Sequence, residues 1–410
     1  MSRLSLSSTD KLARDWFVEE MESLNCKVSV DAMGNTFAVR PGRREGPATF
    51  AGSHLDTQPT GGRYDGILGV IAGVEAIRAM EKKGVETEYP TGVINWTNEE
   101  GARFPISMVS SAVWAGHISL EKGHNLQEVG GGTATMKSEL ERIGYLGEMP
   151  ATHEAMPIGA HFELHIEQGP LLEAASQKIG AVQGVQAYRW HTITVHGRDA
   201  HTGATDFRNR ADSMLTAAKM ILHSHNLATK HKCLASTGIL TVQPGSTNTV
   251  PRTVRFSLDL RTADDGRLMA FEEQLRKDFD KIAAGDEPVE GLSDLGTKGK
   301  PCSVEWTLDV ASKATIFHKD CIECVEQSAA ELFGGVEKGK ELTQRMVSGA
   351  GHDSVHTSKR CPTSMIFVPC KDGKSHTPSE YCAPEDCGNG ADVLLGAVLR
   401  YDQLRATRAA

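Results

Sequence analysis

Long apolar runs are missing from this sequence. Nothing in its 410 residues approaches the roughly 20 consecutive apolar residues of a membrane-spanning helix. The opening "MSRLSLSSTDKLARDWF" lacks the apolar core and small-residue cleavage site of a secretory signal, so a cytoplasmic protein is expected. Positive charge is also short: 44 Lys and Arg against 53 Asp and Glu give a net charge of −9. That balance argues against nucleic acid or an anionic membrane as a partner and leaves small molecules or proteins. The 9 cysteines are odd in number in a chain without a secretory signal, and read as reduced thiols rather than a disulfide framework. Cys321 and Cys324 in "CIECVEQSAAELFG" resemble half a zinc ribbon, but no second CxxC completes it. The surrounding period is helical, which makes them packed thiols. Long-period repeats and low-complexity tracts are absent, and the glycines of "GGGTATMKSEL" do not form a phosphate-binding pattern and read as a loop.

What is present is ordinary in amount and specific in arrangement. With 39% hydrophobic and 24% charged residues the composition suits a soluble globular protein, and the length suits two domains or one domain with a large insertion. "STDKLARDWFVEEMESLNC" starts like a capped helix, and "KVSVDAMGNTFAV" alternates like a hairpin. "TFAGSHLDT" reads as a strand entering a loop, "DGILGVIAGVEAIRAMEKKG" as a buried helix, and "TGVINWTNEEG" as a second buried strand. Strand, helix, strand is the pattern of a parallel α/β sheet, in which sites collect at the carboxyl ends of strands. From about Arg189 the style changes to β-α-β-β-α, compact enough for a small sheet with helices on one face, and closes in the Gly-rich "GDEPVEGLSDLGTKGK". The first style then resumes with "TIFHKDCIECVEQSAAELFG", "PTSMIFVPC" and a terminal helix near Pro384 to Ala406. The expected organisation is a discontinuous domain, 1–187 with 301–410, carrying an inserted domain, 188–300.

Four clusters of His and acid fall at strand ends: His54/Asp56/Asp65, Glu99/Glu100, His165/Glu167, and His352/Asp353 or His376. Mixed imidazole and carboxylate sets suit zinc or a neighbouring divalent ion, and their spread suggests two ions sharing a carboxylate. Each cluster alone is more often a capped loop or a solvated turn. Their joint occurrence at successive strand ends favours function.

The segments "GSHLDTQPTGGRYDGILGV", "NEEGARF", "FELHIEQGP", "VHGRDAHTG", "SGAGHDS" and "IFVPCKDGKSHTPSEY" resemble the dinuclear-metal aminoacylase/carboxypeptidase (peptidase M20-like) superfamily. Within it they look most like the branch of β-alanine synthases (β-ureidopropionases), N-carbamoyl-L-amino acid amidohydrolases and allantoate amidohydrolases. The resemblance spans nearly the whole chain. It implies an α/β, zinc-exopeptidase-like catalytic domain with a mixed, largely parallel sheet, plus an inserted α+β (ferredoxin-like) lid and dimerisation domain, hence a homodimer. It further implies two divalent ions, zinc first, with Mn²⁺, Co²⁺ and Ni²⁺ as alternatives. His54 and His165 would hold one ion and Glu100 and His376 the other, with Asp65 bridging. Asp56 would orient the His54 imidazole. Glu99 would be the general base, taking a proton from the attacking water and returning one to the departing amine nitrogen. In the inserted domain His201 and Asn248 would steady the oxyanion and Arg261 would clamp a substrate carboxylate, while Gln168 would hydrogen-bond the ureido group. Without the resemblance, these read as a turn histidine, a turn asparagine and a surface arginine. His352 and Asp353 would support the site from behind, as would His161, Glu163 and Glu167, whereas His117, His124 and His153 need no special role. Relatives usually carry a further helix before the "RLSLS" segment, so the expectation is either a truncated N-terminus or a domain that tolerates an exposed edge there.

The implied activity is hydrolysis of the linear ureido C–N bond of an N-carbamoyl amino acid, with N-carbamoyl-β-alanine first, to amino acid, CO₂ and NH₃. The alternatives are an allantoate or ureidoglycine-type amidohydrolase, a dipeptidase or aminoacylase, and an inactive binding or scaffold relative. The complete ligand set and Glu99 argue against the last.

Overall fold

Hydrophobic spacing sets the first elements. Ser7 caps the helix Ser8–Ser23 by accepting from the Asp10 N–H, and the alternating stretch behind it folds as a hairpin of β1 (Lys27–Val30) and β2 (Thr36–Arg40). β3 (Ala48–His54) leads through a loop into the helix Ile67–Lys83. That helix stops at Gly84, whose φ of 61° suits glycine. β4 (Thr91–Trp96), β5 (Ile158–Ile166) and β6 (Ile179–Val185) follow. Next come β7 (Ala187–His196), β8 (Ala200–His201), β9 (Leu234–Ser236), β10 (Leu240–Gln243), β11 (Thr249–Val250), β12 (Thr253–Thr262) and β13 (Ser303–Ser312). β14 (Thr315–Ile316), β15 (Thr343–Ser348) and β16 (Thr363–Val368) precede the last helix, Pro384–Arg408. The structure, a computed structural model, describes residues 1–285 and 298–409. Most of the Gly-rich "GDEPVEGLSDLGTKGK" lies outside the described residues.

The chain divides into two compact units, Met1–Gly184 with Ile316–Ala410, and Val185–Thr315. The first is built on a 9-stranded sheet in the order β1-β2-β4-β3-β5-β16-β6-β14, with β15 beside β6. Its centre, β4-β3-β5-β16, is parallel, and antiparallel strands flank it. Every residue of β3, β4 and β16 is buried. Strands enclosed on both faces have no polar side to alternate with, which is why their sequences are rich in apolar and small residues rather than alternating. Helices Ile67–Lys83 and Pro384–Arg408 pack on this sheet. The only strongly polar residues these strands carry inward lie at or near their carboxyl ends, and that is where the site forms.

The second unit has a 5-stranded antiparallel sheet, β10-β12-β7-β13 with β9 beside β12. Helices Ser213–His231 and Asp265–Ala284 supply Met220, Phe271 and Phe279 to a core with Ile193, Val195, Phe256 and Leu258. This unit runs on to Thr315 rather than stopping at 300. The reason is β13, which pairs with β7 from Ser303↔His196 to Ser312↔Tyr188 and sends Val304 and Trp306 into the same core. All nine cysteines are free thiols, with Cys321 and Cys324 buried in the helix Lys319–Leu332. Among the described residues no helix is long and apolar enough to cross a membrane.

Candidate metal centre

The parallel strands deliver their donors to one edge. His54 is the last residue of β3 and His165 the penultimate residue of β5, while Asp65 ends the loop just before the helix Ile67–Lys83. Glu99 and Glu100 lie beyond β4, in a turn that begins with Asn98 in a left-handed conformation (φ 59°). His376 comes from the loop after β16, also with positive φ (57°). Asp65 Oδ1 stands 3.0 Å from His165 Nε2 and 3.6 Å from His54 Nε2, and its Oδ2 stands 3.2 Å from His376 Nε2. Glu100 Oε2 is 3.4 Å from the same His376 nitrogen. The donors thus form two sets, His54/Asp65/His165 and Asp65/Glu100/His376, with Asp65 in both. Glu99 Oε2 lies 3.5 Å from His54 Nε2, so the adjacent glutamates face different sets.

The loops are held by bonds that the sequence reading did not assign. The His54 Nδ1 hydrogen-bonds the Asp56 backbone carbonyl at 2.9 Å, whereas the Asp56 carboxylate is 3.9 Å away. That carboxylate instead accepts the backbone N–H groups of Glu99 (3.2 Å) and Glu100 (3.3 Å). Asp56 therefore orients the imidazole through its main chain and the glutamate turn through its side chain. The Gln168 amide donates to Asp65 Oδ2 at 2.9 Å and lies 3.4 Å from His376 Nε2. Its buried Oε1 has no partner. Gly66 has φ 70°, and a Cβ there would fall 2.3 Å from His54 Nε2; the loop closes over the imidazole only because that position is glycine.

Charge at this edge is unbalanced. Burial opposes protonation of His54, but Glu99, Asp65 and Asp56 outweigh it and hold the imidazole well above its ordinary range. Burial likewise opposes ionisation of Asp65, and His165, His376 and His54 override it, keeping its carboxyl well below the usual value. Glu99 is pushed well above the usual carboxyl range, first by burial and then by Asp353, Glu100 and Asp65, with only His54 opposing. Burial and Asp65 raise Glu100. Carboxylates crowded in a dry place call for cations. His54 Nε2 is fully buried with no hydrogen-bond partner, and three imidazoles with two carboxylates make a donor set suited to divalent ions of the zinc type. The residues present fit two such ions.

Other acids and imidazoles sit behind this edge. Glu163 accepts from Ser53 (2.7 Å) and Ser354 (2.6 Å). Glu167 accepts the N–H groups of Leu171 (2.7 Å) and Leu172 (2.8 Å). His352 packs its ring 4.6 Å from that of His165 and bonds Ser348 at 3.1 Å, and Asp353 accepts from Ser111; neither belongs to a donor set. His161 meets Ser354 and Thr357 at 3.3 Å. Glu380 is buried and takes the N–H groups of Tyr64 (2.9 Å) and Asp65 (3.1 Å). Sequence reasoning passed over it, although its place four residues after His376 was the available signal. Within the second unit, the Thr202 N–H donates to the Asn248 carbonyl at 2.9 Å, joining the turns of His201 and Asn248. Both side chains are exposed. Arg261 lies on β12, bonded to Asp259 at 2.8 Å and packed 5.4 Å from the Tyr188 ring.

Comparison with known proteins matches residues 50–400 to Peptidase family M20/M25/M40. The chain is 36% identical to an N-carbamoyl-L-amino-acid amidohydrolase of Rhizobium meliloti, over 98% of this chain and 92% of that one. It is 31% identical to a ureidoglycolate hydrolase of Oryza sativa, over 98% of this chain and 80% of the relative. The crystal structure of an amidase of the hydantoinase/carbamoylase family from Burkholderia multivorans superposes with a TM-score of 0.88 at 40% identity, covering 98% of this chain and 92% of that one. Matched end to end in sequence and in fold, the chain belongs to peptidase family M20/M25/M40, in its hydantoinase/carbamoylase-type amidase branch.

Proposed function

We propose that this protein is a two-metal amidohydrolase that cleaves the linear ureido C–N bond of an N-carbamoyl amino acid, giving the amino acid, CO₂ and NH₃. The observation that carries the reading is Asp65, shared by two three-residue donor sets with Glu99 against one of them. His54 and His165 would hold one divalent ion, Glu100 and His376 the other, and Asp65 both. When bound, the ions supply Lewis acidity toward the ureido carbonyl and lower the pKa of water. Glu99, kept as a poor acid by its buried and anionic surroundings, takes the proton of the attacking water and passes it to the departing amine nitrogen. Gln168, whose amide N–H groups go to Asp65 and Ser375, offers its unpartnered Oε1 to a ureido N–H. His201 and Asn248 serve the oxyanion, and Arg261 the substrate carboxylate.

The relatives named as N-carbamoyl-L-amino-acid amidohydrolases favour an N-carbamoyl-L-α-amino acid. N-carbamoyl-β-alanine rests on sequence resemblance. A second reading, a ureidoglycolate or allantoate hydrolase, is favoured by the two plant ureidoglycolate hydrolases among the relatives. A homodimer formed through the second unit and a cytoplasmic location belong to the same proposal. The test is release of ammonia and amino acid from N-carbamoyl-β-alanine, several N-carbamoyl-L-α-amino acids, ureidoglycolate and allantoate, after chelation and after return of Zn²⁺ or Mn²⁺. Metal-restored turnover supports the class and the best substrate names the branch. No turnover on any ureide with two ions bound refutes it and turns attention to dipeptides and N-acyl amino acids.

A further inference from the structure

Glu380 touches no donor atom, yet it ties together the two loops that close the site. Its Oε1 accepts the backbone N–H groups of Tyr64 (2.9 Å) and Asp65 (3.1 Å), and its Oε2 meets the Ser375 hydroxyl at 3.1 Å. Asp65 and His376, the neighbour of Ser375, are the residues so held, and they come from segments more than 300 positions apart in the chain. Glu380 is 4% exposed. It fills the space beside Gly62, where a Cβ would fall 1.9 Å from Oε1. The Ser375 oxygen also lies 2.9 Å from Asp65 Oδ2 and receives the Gln168 amide at 3.1 Å. A hydroxyl has one proton and here faces two carboxylates. The two backbone donors of Glu380 go to its Oε1, and Asp65 Oδ2 already accepts the Gln168 amide, so that proton goes to Glu380 Oε2 and closes the tie between the two loops.

The two sets do not depend equally on this tie. His54 and His165 are buried on strands, whereas the His376 side chain is 50% exposed on a loop. Strand residues keep their geometry without help, and a loop residue keeps it only through its bonds.

We propose that Glu380 is a positioning residue for the metal centre: by holding the Asp65 and Ser375–His376 loops together it sets the geometry of the Asp65/Glu100/His376 set, and its loss weakens that set before the His54/Asp65/His165 set. The inference rests on the two-metal reading but not on any particular substrate. Removing hydrogen-bonded supports behind metal ligands costs about 10- to 100-fold in affinity, and that is the loss expected here.

The experiment equilibrates the full-length protein with buffered Zn²⁺ over a range of free concentrations and counts zinc per chain by elemental analysis. Melting temperatures of the metal-free forms are read beside it. Wild type should take up two equivalents. Glu380→Ala should keep one at wild-type affinity and bind the other about 10- to 100-fold more weakly. Glu380→Gln, whose amide oxygen can still accept both N–H groups, should restore most of the loss. Glu380→Asp withdraws the carboxylate by one methylene, stays folded if the alanine variant does not, and should lose the second ion as alanine would. Two ions at wild-type affinity in folded Glu380→Ala or Glu380→Asp overturn the proposal. So does an equal loss in Glu380→Gln, which would assign the effect to charge rather than to the hydrogen bonds. A wild type that binds fewer than two ions overturns this inference and the two-metal reading together, whereas two ions without ureide hydrolysis refute only the substrate.

Discussion

Replacing Gly66 by alanine adds one methyl group, and the structure says where it goes. With φ at 70°, the new Cβ would stand 2.3 Å from both Cε1 and Nε2 of His54. The ring cannot step aside freely, because its Nδ1 is bonded to the Asp56 carbonyl at 2.9 Å and the side chain is fully buried. Either the imidazole or the loop bearing Asp65 must move, and each movement displaces a member of a donor set. At φ 70° and ψ −48° Gly66 lies outside the left-handed helical well, so an L-residue there costs at least the ~1–2 kcal/mol of that well, and overpacking a filled site adds about 1–3 kcal/mol. The expected loss of folding stability is therefore about 2–5 kcal/mol, with metal affinity lower by at least about tenfold. Gly84→Ala separates the two effects. Gly84 has φ 61° and nothing within 4 Å of the added carbon, so it should show the backbone cost alone and bind metal normally. Denaturant unfolding and zinc titration of both variants make the assay. If Gly66→Ala matches Gly84→Ala in both stability and zinc affinity, the close approach of loop and imidazole is not what holds this site.

Three further outcomes are expected. Glu99→Gln should retain two metal ions by elemental analysis and lose about 10²- to 10⁴-fold in kcat; wild-type turnover would remove Glu99 from the role of base. Arg261→Ala should raise KM for carboxylate-bearing ureides with little effect on an uncharged ureide, and an equal loss on both would argue against a carboxylate clamp. His161 is buried with one nitrogen unpartnered, and burial pulls its pKa down to about 4 against a weaker opposing pull from Glu163. Below pH ~6.5 the unfolded chain takes up a proton that the folded chain refuses until about pH 4, so stability present at neutral pH is lost as pH falls through that window. The full loss is roughly 3 kcal/mol. Urea midpoints at several pH values should fall more steeply for wild type than for His161→Asn, and parallel curves would refute this account.

Those strands and helices of the first unit that are long, apolar or capped were legible. β3 and β16 are buried, apolar-rich segments, and the helix Ile67–Lys83 ends in a glycine that the sequence displays openly. The edge of the second unit was less legible. β13 alternates between exposed and half-buried residues only over its first half and acquires its identity only by pairing with β7, a partner more than 100 positions away. The donor residues were visible as histidines and acids at strand ends, with the resemblance choosing His376 over His352. Glu380 offered only its place four residues after His376 as a signal, because a glutamate that accepts backbone N–H groups leaves no further pattern in the chain.

Sequence by itself thus determined which residue types stand at the carboxyl ends of the parallel strands, since apolar runs dictate strands and the polar residues that end them have nowhere else to go. Tertiary structure alone decided that Asp65 is within reach of three imidazoles, that Glu99 and Glu100 face different donor sets, and that Asp56 serves one loop with its carbonyl and another with its carboxylate. Apart from the local His54–Asp56 bond, those are distances between atoms remote in sequence. They are fixed by packing and by hydrogen bonds that form only once the strands lie side by side.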